Sequence, residues 1–133
     1  MTRRRRPWRR HLAAAAWGLL TVPALALGAV GGEPARFVAG LEDLPLMPGL
    51  EAMRGTGVRF DTPQGRIVEA YATGPVTRGA IEAFYAETLP QIGWREAGAG
   101  VWLRDGEALK LEIVEPSGSR GQTPIVRFAL SPD

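Results

Sequence analysis

Apolar residues recur along this chain with different periods, and each period selects an element. Over residues 66–73, Val68, Ala70 and Ala72 alternate with Ile67, Glu69 and Tyr71. A period of two puts the two sets on opposite faces of a strand, and the small alanines leave room for a helix to lie close on theirs. Residues 58–60 are also rich in strand-forming side chains, and Asp61, Pro63 and Gly65 between the two runs stand at turn-like offsets. A β-hairpin is predicted there. After Thr77 the spacing changes to three and four: Ala80, Ile81, Phe84, Tyr85, Thr88 and Leu89 form one stripe. That predicts an amphipathic helix capped by Thr77, stopped by Pro90 and Gly93, with Trp94 re-entering the fold at its exit.

Three more strands are predicted over 94–102, 107–114 and 125–130. Asp105-Gly106 accepts the positive φ angles of a type I′ turn, which pairs Arg104 with Glu107 and Trp102 with Leu109. Cross-strand partners share a face, so Trp102, Leu109, Leu111 and Ile113 are assigned to the core together with Val126, Phe128 and Leu130. Lys110, Glu112 and Arg127 then point the other way. Residues 115–123 make a polar, turn-rich connector. The order is β-β-α-β-β-β, an α+β fold in which a mostly antiparallel five-stranded sheet carries one helix on one face.

Before this domain, taken as 58–133, residues 31–57 are interrupted by Pro34, Pro45, Pro48 and several glycines. Proline removes ladder donors, so an extended lead-in packed on the domain's edge is expected rather than a central strand. Leu41, Leu44, Leu46 and Leu50 are too many for a free linker. The alternative, a proline-rich ligand for a partner, lacks a PxxP repeat in a polar setting.

The first thirty residues are of another kind. Arg3, Arg4, Arg5, Arg6, Arg9 and Arg10 precede an apolar run over 12–30 broken only by Thr21, Pro23 and glycines. A cationic segment held on the cytoplasmic side of a greasy one reads as a bacterial export signal peptide or an N-terminal membrane anchor helix. Ala24-Leu25-Ala26 behind Pro23 is the better small-x-small cleavage site, and Leu27-Gly28-Ala29 the weaker. Left uncut, residues 12–30 come close to the ~20 apolar residues that cross a bilayer, and they would be the chain's contact with a membrane. Arg9-Arg10 resembles a twin-arginine signal. The expected location is periplasmic or exported, or else anchored in the inner membrane and facing the periplasm.

Removing the leader reverses the charge. The whole chain carries 16 basic and 14 acidic residues. From Leu27 onward ten cations (nine arginines and Lys110) face all 14 acids, a net of −4. Without a basic run to track phosphates, nucleic acid is not an expected partner. There is no cysteine, hence no disulfide and no lipidated cysteine, and the sole histidine, His11, lies in the leader. Thiolate and imidazole chemistry is therefore missing from the rest of the chain. No catalytic, cofactor-binding or metal-binding residue is assigned, and no cofactor is implied.

The helix and its exit carry Phe84-Tyr85, Leu89-Pro90 and Gly93-Trp94, preceded by Pro45-Leu46-Met47-Pro48-Gly49. This resembles a family of small exported bacterial domains of unknown function, over about residues 41–130. The resemblance implies an envelope location and an α+β fold, and no activity or site residue comes with it.

Carboxylates are the remaining candidates for acid–base work, and Asp43, Asp61, Glu69, Asp105 and Glu112 are scattered over turns and strand faces. The aromatic set Phe84, Tyr85, Trp94 and Trp102 reads either as core or as the lining of a ligand cluster. Tyr71 and Glu69, with Lys110, Glu112 and Arg127 on the same side of the sheet, make a candidate interaction surface. Three functions follow as expectations. The first is a non-enzymatic envelope module that binds an envelope protein or cell-wall component through the sheet face or the lead-in. The second is a small-ligand (lipid or metabolite) carrier with a helix–sheet pocket lined by Phe84, Trp94 and Trp102. The third is a carboxylate-based hydrolase of cell-wall glycan, which needs two acids at a defined separation.

Overall fold

The computed structural model describes residues 36–117 and 123–133. Residues 1–35, with the expected leader and the start of the lead-in, and part of the connector over 115–123 lie outside the described residues.

The lead-in opens with a two-stranded antiparallel hairpin, β1 (Phe37–Val38) and β2 (Leu41–Pro45), turned at Gly40. There follow β3 (Glu51–Ala52), β4 (Val58–Thr62), β5 (Gly65–Thr73), α1 (Arg78–Gln91), β6 (Arg95–Gly98), β7 (Val101–Arg104), β8 (Glu107–Val114) and β9 (Ile125–Pro132). The fold is α+β, with one helix among the described residues and an antiparallel sheet. The sheet has seven strands in the order β3-β5-β9-β8-β7-β6, with β4 beside β3 along the outer edge of the long β5.

The expected five strands therefore become seven, for two local reasons. The strand predicted over 94–102 is two strands, because Gly98-Ala99-Gly100 folds the chain back between β6 and β7. Gly100 has φ +70° and accepts a hydrogen bond from Leu111 N at 2.8 Å. A Cβ there would sit 2.6 Å from the Leu111 carbonyl oxygen, so the turn can lie down on β8 only as glycine. The lead-in supplies the other strand: β3 pairs with the end of β5, Glu51 opposite Thr73.

The Asp105-Gly106 turn matches its sequence signal. Arg104 pairs with Glu107 and Trp102 with Leu109, around Asp105 and Gly106 at φ 50° and 77°. The hairpin between β4 and β5 is tighter than its sequence suggested, since Thr62 already pairs with Gly65.

Thr77 caps α1, its hydroxyl accepting from Ala80 N at 3.2 Å. The helix runs through Pro90, which the sequence had marked as its stop, to Gln91. It ends in a Schellman arrangement: Trp94 N donates to Leu89 O at 3.0 Å and Gly93 N to Pro90 O at 3.2 Å, with Gly93 at φ 92°. Pro90 has no N–H to donate to the Ala86 carbonyl, so the helix gives up one bond there and ends a residue later, with the Pro90 carbonyl serving as one of the two capping acceptors.

The helix buries Ile81, Tyr85 and Leu89, a narrower stripe than predicted, while Ala80 is exposed. These meet Val68, Ala70 and Ala72 of β5, Val126, Phe128 and Leu130 of β9, Leu109 of β8 and Trp102 of β7 in one core. Val38, Leu41, Leu44, Leu46 and Leu50 of the lead-in join the same core. Tyr85 ties the parts together. Its ring meets Phe128 edge-on at 5.5 Å, and its hydroxyl donates to Pro45 O (3.1 Å) and accepts from Met47 N (3.2 Å). Burial pushes this phenol up to about 12.

Candidate functional site

The helix and the lead-in core occupy one face of the sheet. The other is formed by the alternate residues of the same strands, and it is where the five predicted surface residues lie. Tyr71 of β5 stands opposite Arg127 of β9, and Arg127 opposite Glu112 of β8. Lys110 and Glu69 flank them, each opposite Ala129.

Register alone puts these side chains within reach of each other, and they close into one network. Arg127 grips Glu69 with two parallel bonds, Nε to Oε1 and Nη2 to Oε2, both 3.0 Å. Its third nitrogen, Nη1, reaches Glu112 Oε2 at 2.5 Å. Lys110 Nζ holds the other oxygen of Glu112 at 2.8 Å, and the Tyr71 hydroxyl donates to Glu69. The paired bonds from Arg127, with that from Tyr71, hold the Glu69 carboxyl down at about 2. The same contact raises the Tyr71 phenol. Lys110, then Arg127, keeps Glu112 below the usual carboxylate range. Two cations meet two anions here, so the network has no net charge.

Sequence reasoning missed what borders it. Val58 pairs with Glu69 and Phe60 with Ile67, so all three apolar residues share the open face. They are 46%, 59% and 39% exposed, an apolar strip beside a charge-neutral centre. The signal was present in the hairpin: once Ile67 shares a face with Glu69, its partner Phe60 must do so too.

A second ionic cluster sits where β2, the start of β5 and the β7–β8 turn meet, and it was not foreseen. Arg66 forks onto Glu107 at 2.8 and 3.2 Å and lies 3.8 Å from Asp43. Arg104 bonds Asp43, donates to Ile92 O at 3.1 Å, and stacks 4.3 Å above the Trp94 ring. Burial pushes the Asp43 carboxyl up, but the bond and charge of Arg104, aided by Arg66, outweigh it and hold the group below its usual range. A carboxylate held ionised by arginine is a poor general acid at neutral pH. Asp61 and Asp105 join neither cluster, and among the described residues no group of three or more metal-ligating side chains converges.

The aromatic set divides. Tyr85, Trp94 and Trp102 are buried core residues, and Phe84 packs edge-on against Tyr85 at 5.0 Å. A cleft of about 370 Å³ does open between α1 and the sheet. Trp102 lines it, but Phe84 and Trp94 do not. Compared with known protein families, with curated proteins and with solved structures, the chain finds no match in any of the three.

Proposed function

We propose that this chain is an exported, non-enzymatic binding module of the bacterial envelope that engages a partner protein through the open face of its sheet. The observation that carries this reading is the exposed strip Val58, Phe60 and Ile67 beside a neutral ion network. Interfaces have apolar, charge-depleted centres, and a network whose charges are already mutually paired is less costly to cover than a lone charge. Two of the three strip residues, Val58 and Ile67, are aliphatic, and none of the three offers a hydrogen bond to sugar hydroxyls, which suits another protein better than a glycan. Export rests on the arginine-rich, then apolar, first thirty residues. The absence of cysteine, and of histidine outside the leader, supports binding over turnover.

The test is site-specific photo-crosslinking in intact cells. A photoreactive residue replaces Phe60 on the open face, or Glu87 on the exposed side of α1 as control. A discrete adduct from position 60, absent from position 87 and lost in a Tyr71→Ala/Arg127→Ala background, is expected. The same adducts from both positions, or adducts indifferent to the double substitution, would overturn the proposal. Fractionation that leaves the folded product in the cytosol would remove its envelope half.

A further inference from the structure

The cleft between α1 and the β6–β7 hairpin lies on the face of the sheet opposite the proposed interface and plays no part in it. Its floor is apolar: Ile81 and Tyr85 from the helix, Trp102 from β7, and the half-buried Leu111 and Ile113 from β8. At about 370 Å³ it falls at the low end of the ~300–1,000 Å³ usual for small-molecule sites, enough for one slender chain or ring.

The rim has a definite electrostatic sign. Arg78 Nε is taken by Glu82 Oε1 at 2.9 Å and its Nη1 by Ile113 O at 3.0 Å, so its charge is answered within the rim. Glu96 is different. It pairs across the hairpin with Trp102, so its side chain stands on the helix side of the sheet and lines the cleft. Among the described residues no cation lies within ion-pairing distance of it. An unanswered carboxylate at the mouth of an apolar slot complements one kind of molecule. We infer that the cleft is a binding site for a small amphiphilic amine, a single apolar chain or ring bearing an ammonium group. The apolar part fills the floor beside Trp102 and the ammonium meets Glu96.

The probe is n-octylammonium, with n-octanol and n-octanoate as neutral and anionic counterparts of the same length. Binding to the full-length chain is read at the Ile81 and Ile113 methyl resonances, which separates the cleft from the greasy leader. Octylammonium is expected to shift both methyls saturably and to bind about threefold tighter than octanol, the scale of a solvent-exposed ion pair. Octanoate should be the weakest of the three. Glu96→Gln should bring octylammonium to the level of octanol while leaving octanol unchanged. Ala86→Trp, which places an indole in the mouth, should abolish the shifts for all three while the Val126 and Phe128 signals stay in place. Octanoate binding as well as the amine overturns the inference, as does an unaltered preference in Glu96→Gln or a lack of shifts in the native chain. Glu96 is exposed, so its variant keeps the test sharp even where the tryptophan variant disturbs folding.

Discussion

The two faces of the main sheet are made from neighbouring residues of the same strands, yet they solve different problems. On β9, Val126, Phe128 and Leu130 are closed over by α1 and the lead-in, while Arg127 and Ala129 between them look out on the other side. On β5, Val68, Ala70 and Ala72 do the same against Glu69 and Tyr71. The covered face holds the fold by excluding water from apolar surface. The open face is ordered by ion pairing that water can still reach, with Arg127 and Glu69 about a third exposed. Stability should therefore respond to substitutions on one face and recognition to substitutions on the other.

The largest effect belongs to the centre of the covered face. Phe128 is fully buried beneath the Tyr85 ring. Phe128→Ala removes its apolar contacts and leaves a cavity, at a cost of about 3–5 kcal/mol. Urea denaturation should show a midpoint lowered in proportion with the slope unchanged. A loss no greater than that of an open-face substitution would mean that α1 and the lead-in do not seal this face.

Next comes Tyr85, whose buried hydroxyl makes the covered face sensitive to alkali. Its folded-state value, about 12, lies above the 10.0 of a free phenol. The unfolded chain therefore loses this proton first, and the stabilisation is complete below pH 10 and lost as pH rises through 12. The loss at pH 12 is about 2 kcal/mol. Tyr85→Phe should start lower, because Pro45 O and Met47 N lose their partner, and should then show a flatter curve between pH 10 and 12. Parallel curves for the two proteins would show that another group carries the dependence.

How much of this division could be read from the sequence depends on how far apart the partners are. Strand parity within β5, β8 and β9 sets which residues of each turn away from the core, and the Asp105-Gly106 turn sets the β7–β8 pairing, so Tyr71, Glu69, Lys110, Glu112 and Arg127 could be grouped from the sequence. That Arg127 would be the hub of the group could not, since three side chains compete for it. The Asp43–Arg104 contact joins residues 61 positions apart, through a lead-in whose prolines hide its strands. No local period announces such a pair. The β6–β7 hairpin is a different failure: Gly98-Ala99-Gly100 reads as a turn in the sequence, but Trp94, Val101 and Trp102 around it also read as one continuous strand, and the two readings conflict.

On the open face the effect of breaking the hub is electrostatic rather than structural. Removing the guanidinium in Arg127→Leu leaves Glu69 with only the Tyr71 hydroxyl. Its carboxyl should climb from about 2 toward the ordinary 4.5, followed by carboxyl-carbon NMR across an acid titration. The sign follows from the depressed value. In the native protein the Glu69 contribution is present above pH 4.5 and lost as pH falls toward 2, and in the variant that window closes. A Glu69 titration that stays near 2 would mean that Arg127 is not what organises this face.

The smallest expected change in stability is at Phe60, and it is the most demanding of the division. A phenylalanine is normally missed when truncated, but this one is 59% exposed at an outer edge of the sheet, paired with Ile67, itself 39% exposed. Phe60→Ser should change the unfolding free energy by no more than about 0.5 kcal/mol, as for surface substitutions remote from core and caps. It should nonetheless abolish capture by the proposed partner, because an anchor of this size at the centre of a contact carries a disproportionate share of binding energy. A stability loss approaching that of Phe128→Ala would put Phe60 in a core, most directly by a second copy of the chain covering it. Concentration-dependent unfolding of the unsubstituted protein would then identify that copy as the occupant of the face.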